Sequence, residues 1–70
     1  MYLNKSKLIE LMNRQFEGKY RQFARALNVE VSQLHRIINS DSQAGIIFLG
    51  KLYKYCKSNK IPFEQFIFFS

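Results

Sequence analysis

The stretch that most constrains the fold is residues 21–39, RQFARALNVEVSQLHRIIN. Its apolar side chains recur at three- and four-residue spacing, which is typical of one buried face on an α-helix. They form two sets, Phe23 with Leu27 in the first segment and Leu34, Ile37 and Ile38 in the second. Asn28 lies between the sets and tolerates the left-handed conformation in which many helices end. The stretch therefore predicts two short helices joined by a tight turn.

Two further features of this stretch concern how the helices pack and what they expose. Ala24 is small enough to lie where two helices cross closely beside a short turn. The polar residues of the second segment fall off its apolar face and are predicted to point outward: Ser32, Gln33, His35 and Arg36. A short helix with an apolar back and a hydrogen-bonding front is a shape that the major groove of DNA accepts.

The remaining sequence predicts an all-α, four-to-five-helix domain that occupies residues 1–70. The predicted helices span residues 5–16, 20–27, 31–39, 45 or 46 to 58, and 62–68. Asn4 is the expected N-cap of the first helix, and Gly18 is its expected left-handed stop. Residues 1–3 are a short lead-in, and residues 40–43 are a polar loop. The inward face of the fourth helix is predicted from its spacing to contain Ile46, Leu49, Leu52, Tyr53 and Cys56.

Composition limits the partners and the compartment. Seventy residues suffice for one modest core, and the formal net charge of +6 favours a polyanion such as nucleic acid or an anionic membrane surface. Cys56 is the only cysteine, so a disulfide framework and a zinc site are both excluded, and we expect a buried thiol. Neither a membrane-spanning stretch nor a signal-peptide pattern is present, which favours the cytoplasm.

A family resemblance rests on the spacing around the turn. Ala24, Leu27, Asn28 and Val29, followed by Leu34 and Ile37, resemble the helix-turn-helix of lambda-repressor-like, Cro-type regulators of bacteria and phages. The family pattern has glycine where this chain has Asn28, and serine or threonine where it has Glu30. Asn28 suits the turn, whereas Glu30 retains a capping acceptor but adds negative charge near the expected phosphates. The family's five-helix plan can be laid over most of the chain.

The resemblance implies which residues contact DNA. Base contacts are expected from the second helix of the motif, at Val31, Ser32, Gln33, His35 and Arg36. Arg36 suits guanine and Gln33 suits adenine, while Val31 either meets a thymine methyl group or packs. His35 contacts the groove or a phosphate, or is simply solvated. Phosphate contacts are expected at the start of the first helix of the motif and the end of the second, from Lys19, Tyr20, Arg21, Arg25 and Asn39.

The residues outside the motif give weaker indications. Lys51, Lys54 and Lys57 recur every three residues, and we interpret them as a solvated face of the fourth helix. The C-terminal segment has more aromatic surface than one short helix buries, so a homodimer contact is predicted from Phe66, Phe68 and Phe69, although Phe66 also suits the core. A homodimer also fits a domain whose single recognition helix reads only a few base pairs.

The expected function is sequence-specific binding of double-stranded DNA by a Cro-like transcriptional repressor of phage, plasmid or mobile-element origin. We expect no cofactor, metal, membrane partner or small-molecule ligand. An enzyme such as a nuclease is disfavoured because the five carboxylates are too scattered to hold a metal. The main alternative is a protein-interaction module of the same fold, an antitoxin or anti-repressor, acting through its aromatic C-terminal tail.

Overall fold

The computed structural model describes residues 2–40 and 44–68, and the described chain is mostly helical. The elements in chain order are β1 (Tyr2–Leu3), α1 (Lys5–Phe16), α2 (Tyr20–Leu27), α3 (Val31–Asn39), α4 (Ile46–Ser58), a 3₁₀ turn (Phe63–Phe66) and β2 (Ile67–Phe68). The bounds of the four α-helices agree with the sequence predictions. Most of the predicted polar loop, residues 41–43, lies outside the described residues.

The first helix begins and ends as its sequence predicts, with one difference at the end. The Asn4 side chain caps it by accepting a hydrogen bond from the Lys7 N–H at 3.3 Å. Gly18 has the predicted positive φ of 74°, but Glu17 already adopts the left-handed conformation with a φ of 54°. The turn into α2 therefore uses two successive left-handed residues. Phe16 then stacks on Phe23, with ring centroids 5.1 Å apart, and joins α1 to α2.

The inward face of α4 differs from the predicted one. Phe48, Leu52 and Cys56 are buried, whereas Ile46 is 86% exposed and Tyr53 is 49% exposed. Four consecutive apolar residues begin α4 and cover most of the helix circumference. Spacing alone therefore does not decide which of them face the core. Phe48 has the larger side chain and fills the core, while Ile46, in the first turn of α4, lies outside the core.

The described chain is mostly helical, as the all-α prediction expects, but the predicted fifth helix is wrong. The predicted helix at residues 62–68 is only a 3₁₀ turn, and β2 then pairs antiparallel with β1, with Tyr2 opposite Phe68 and Leu3 opposite Ile67. So short a segment gains little from helix formation, and its β-branched and aromatic end suits a strand. The Asn4 N–H also donates to the Phe66 carbonyl at 2.7 Å, which ties the two ends of the described chain together.

One buried cluster joins all four helices to the C-terminal segment. Its members are Leu8, Leu11, Met12, Phe23, Ala24, Leu27, Leu34, Ile37, Phe48, Leu52, Cys56 and Phe66. Phe66 is 1% exposed, so its predicted role in a dimer contact is wrong, because a buried ring presents no surface to a second chain. Phe68 is 52% exposed, and Phe69 lies outside the described residues. No helix in the described part of the chain has both the length and the apolar character needed to cross a bilayer.

Candidate nucleic-acid interface

The turn between α2 and α3 has the geometry of a Schellman helix ending. Asn28 is left-handed, with φ 61° and ψ 45°, as predicted. The Val29 N–H donates to the Ala24 carbonyl at 2.9 Å, and the Asn28 N–H donates to the Arg25 carbonyl at 3.1 Å. These are the two hydrogen bonds that close this motif and satisfy the last carbonyls of a helix. The turn therefore fixes the direction in which α3 leaves α2.

Apolar packing holds α3 against α2. Ala24 is 2% exposed, as expected for a small residue at a close helix contact, and Leu27 is equally buried. Leu34 and Ile37 provide the buried face of α3, as predicted, and Ile38 is partly buried beside them. Since both helices contribute to the same core, the outer face of α3 is presented on a rigid support.

The outer face of α3 carries most of the residues predicted to contact bases. Val31, Ser32, His35, Arg36 and Asn39 are all exposed and span about 140° of the helix, at about 100° per residue. Gln33 is half-buried and lies at the border between this face and the buried one. The structure therefore groups Val31, Ser32, His35 and Arg36 on one surface and sets Gln33 at its edge.

Three residues link the start of α2 to the end of α3. The rings of Tyr20 and His35 pack together with centroids 4.9 Å apart and an interplanar angle of 42°. The Asn39 side-chain nitrogen donates to the Tyr20 hydroxyl oxygen at 3.0 Å and to the His35 carbonyl at 2.9 Å. This cluster joins residues predicted separately as base and phosphate contacts. The only sequence signal for it is the four-residue spacing of His35 and Asn39, which does not identify Tyr20.

The first turns of α2 and α3 lack a side-chain cap. Lys19 and Glu30 hold the two N-cap positions, and neither side chain accepts from the helix amides. The capping acceptor expected at Glu30 is therefore not used, consistent with the preference of this position for shorter side chains such as serine, threonine and aspartate. Amides of these first turns remain available, and together with the helix dipole they favour an anion.

Positive charge on the α2–α3 unit is not neutralised by nearby carboxylates. Arg21, Arg25 and Arg36 are exposed and form no ion pair within residues 2–40 and 44–68. Lys19 lies 3.7 Å from the Glu17 carboxylate, but both groups are well exposed, and such pairs are weak. On α1, by contrast, Glu10 lies between Lys7 and Arg14 and pairs with both.

The three lysines of α4 do not form the uniform solvated face that was predicted. Lys54 and Lys57 are exposed, but Lys51 is half-buried and its ammonium donates to the Asn28 carbonyl at 2.7 Å. A cation at this position satisfies an acceptor at the C-terminal end of α2 and interacts favourably with the helix dipole. Lys51 therefore supports the turn between α2 and α3.

Cys56 and the possible metal ligands are the other groups of the described chain with chemistry to consider. Burial raises the pKa of the Cys56 thiol to about 11, so it is protonated and unreactive at neutral pH. No group of three or more histidine, cysteine or acidic side chains in the described part of the chain is arranged to hold a metal ion. The candidate site is the exposed surface of α2 and α3, on the evidence of the hydrogen-bonding face of α3 and the unpaired arginines of the described chain.

Comparison of the chain with protein-family models, with curated proteins and with solved structures finds no match. The geometry of α2 and α3 and the resemblance of residues 24–37 to the helix-turn-helix pattern are therefore the observations that bear on function.

Proposed function

We propose that this chain is a lambda-repressor-like transcriptional regulator that binds double-stranded DNA by inserting α3 into the major groove. The observation that carries the proposal is the exposed polar face of α3, held rigidly on α2 by a left-handed turn at Asn28. A recognition helix needs these features, since its buried side anchors it and its outer side meets the base edges. The net charge of +6 supports a polyanionic partner.

The base contacts are assigned to the centre of the outer face of α3. Arg36 is exposed and unpaired in the described chain, so its guanidinium is free to bind the O6 and N7 atoms of guanine. Val31, which is 40% exposed, suits a thymine methyl group, and Ser32 suits either a donor or an acceptor. Gln33 contacts only a base at the border of the footprint, because its side chain is half-buried.

The phosphate contacts are assigned to α2 and its first turn. Arg21 and Arg25 are one helical turn apart, exposed and free of ion pairs within the described residues. The uncapped amides at the start of α2 provide further donors for the same DNA strand. Such contacts add affinity for every sequence and make binding dependent on salt, because bound cations are released from the DNA.

A homodimer on DNA is part of the proposal, and its subunit contact is assigned to Phe68 and Tyr2 in place of the buried Phe66. Phe68 lies opposite Tyr2 in the two-stranded sheet, and both rings are about half exposed, which provides an aromatic patch for a second copy. Sedimentation of the wild-type chain and of Phe68→Ser, each with and without operator DNA, tests it. A wild-type dimer that Phe68→Ser weakens supports this contact, and a monomer bound singly to DNA contradicts it.

A second candidate function is docking on another protein, and one observation favours it. Ile46 and Ile47 begin α4 with 86% and 71% of their surfaces exposed, and they adjoin each other. Exposed apolar pairs of this kind occur at protein-binding surfaces. An antitoxin or anti-repressor of the same fold would use such a surface and would not require salt-sensitive DNA binding.

Selection of bound sequences from a random duplex pool, followed by salt titration of the enriched duplex, tests the proposed function. We expect a two-fold symmetric site with half-sites about one helical turn apart, and an affinity that falls steeply with salt. Such a result also fits the expected setting, a repressor of phage, plasmid or mobile-element origin in a bacterial cytoplasm. Absence of binding at low salt would overturn the DNA proposal and favour the protein-docking alternative.

A further inference from the structure

We propose that Tyr20, His35 and Asn39 form one positioning unit, in which the Tyr20 hydroxyl donates to a DNA phosphate and Asn39 acts through Tyr20 without touching DNA. The inference rests on the proposed function and refines it. It assigns different tasks to Tyr20 and Asn39, which the family resemblance groups together as phosphate contacts, and it moves His35 from the base contacts to the phosphate contact.

The Asn39 side-chain amide has two hydrogens to donate. Its side-chain nitrogen lies 2.9 Å from the His35 carbonyl, which can only accept, so this side of the amide must be the NH₂ group. The same nitrogen lies 3.0 Å from the Tyr20 hydroxyl oxygen. Both amide hydrogens are therefore used within the protein. The remaining oxygen of Asn39 can only accept, and a phosphate offers it no hydrogen.

The Tyr20 hydroxyl can both accept and donate a hydrogen bond. Because its oxygen accepts from Asn39, the hydroxyl keeps its own hydrogen for another partner. Among the described residues, the Tyr20 hydroxyl donates no hydrogen bond to another protein group. Tyr20 is also the first residue of α2, beside the uncapped amides and Arg21. The hydroxyl is thus an oriented donor at the place where a phosphate is expected.

His35 lies beside Tyr20. Its ring packs on Tyr20 at 4.9 Å, so the imidazole leans toward α2, whereas its neighbour Arg36 stands unpaired on α3. The packed rings fix the plane of the Tyr20 phenol, and Asn39 fixes the position of its oxygen. His35 therefore belongs with the phosphate contact, and base reading is left to Val31, Ser32 and Arg36.

A double-mutant cycle tests this division of tasks. Tyr20→Phe, Asn39→Ala and the double variant are titrated against the enriched duplex and a random duplex at one salt concentration. We expect Tyr20→Phe to weaken binding to both duplexes on the order of tenfold, since a hydrogen bond to a charged group is lost. Asn39→Ala should weaken binding less, and the double variant should match Tyr20→Phe alone. If the loss of affinity in the double variant equals the product of the two single-variant losses, Asn39 contacts DNA independently and the proposal is overturned.

Matched controls and a second readout separate this inference from the proposed function. Tyr53→Phe and Asn13→Ala remove the same groups from exposed positions on α4 and α1 and should leave DNA binding unchanged. NMR of the free protein follows the His35 ring protons, which the Tyr20 ring shifts; Asn39→Ala should move them and Asn13→Ala should not. Unmoved His35 resonances in Asn39→Ala would refute the positioning role, even if the wild-type chain binds no DNA.

Discussion

The outer faces of α3 and α4 are built from opposite kinds of side chain. On α3 the exposed residues include Ser32, His35 and Arg36, which donate or accept hydrogen bonds, and the helix is fixed on α2 by a defined turn. On α4 the first exposed residues are Ile46 and Ile47, and the lysines follow nearer its end. A polar face with unpaired cations suits nucleic acid, whereas an apolar one suits another protein surface.

Charge alone therefore does not locate a candidate DNA-binding surface. Lys54 and Lys57 give α4 more exposed cations than α3, which carries Arg36 alone, yet the exposed isoleucines of α4 cannot hydrogen-bond to base edges or phosphates. The α3 face combines charge with hydrogen-bonding groups and with a rigid backing of Leu34 and Ile37.

The largest expected effect is a loss of stability that distinguishes the buried side of α4 from its exposed side. Phe48→Ala should reduce the free energy of unfolding by about 3–5 kcal/mol, because it empties a fully buried ring site in a small core. Ile46→Ala should change it by less than about 0.5 kcal/mol, since that side chain is mostly exposed. Urea unfolding followed by circular dichroism measures both. Similar losses of stability in the two variants would show that Ile46 belongs to the core.

The next effect separates base reading from phosphate binding. Arg36→Ala should weaken binding to the selected duplex by about 1–3 kcal/mol and leave binding to a random duplex nearly unchanged. Arg21→Ala should weaken both equally and reduce the salt slope by about one. Lys57→Ala on α4 is the matched control and should preserve the sequence preference. Equal losses for both duplexes in Arg36→Ala would show that Arg36 contacts a phosphate.

A smaller effect is expected at the turn between α2 and α3, which fixes the direction of α3. Asn28→Gly should be neutral or slightly stabilising, because glycine adopts a positive φ freely. Asn28→Ala should lose on the order of 1 kcal/mol, since a Cβ without a polar group disfavours the left-handed conformation. Thermal unfolding compares the two. A stable Asn28→Ala variant would mean that the turn does not require this backbone geometry.

The smallest effect concerns the thiol on the inner side of α4. Burial raises the pKa of Cys56 to about 11, so the folded state holds the thiol proton more tightly than the unfolded chain. The associated stability is present below the unfolded thiol pKa and is lost as pH rises through the folded value. Unfolding of the wild type and Cys56→Ala should therefore converge as pH approaches 11. A wild-type Cys56 labelled rapidly by a thiol reagent at pH 7 would contradict its burial.

Local signals predicted the parts of the fold that depend on neighbouring residues. The bounds of the four α-helices, the Asn4 cap and the left-handed Asn28 all follow from spacing and backbone preference. The grouping of Val31, Ser32 and Arg36 on one face of α3 follows from helical periodicity in the same way. These features were accessible because each is decided within a few residues of the chain.

Features decided by distant residues were missed. The pairing of Leu3 with Ile67 joins opposite ends of the sequence, and nothing local to either strand identifies its partner. The contact of Tyr20 with Asn39 depends on how α2 and α3 cross, which spacing does not specify. The inward face of α4 depends on which apolar side chain fills the space left by the other helices, and Phe48 does so in place of Ile46.

The most direct test of the account is an NMR titration of the isotope-labelled protein with the enriched duplex, following every backbone amide. If α3 enters the major groove, the largest shifts should fall at Ser32, Arg36 and the first turn of α2, and the amides of Ile46 and Ile47 should change little. Shifts concentrated at the start of α4, with α3 unmoved, would contradict the claim that α3 is the DNA-binding face.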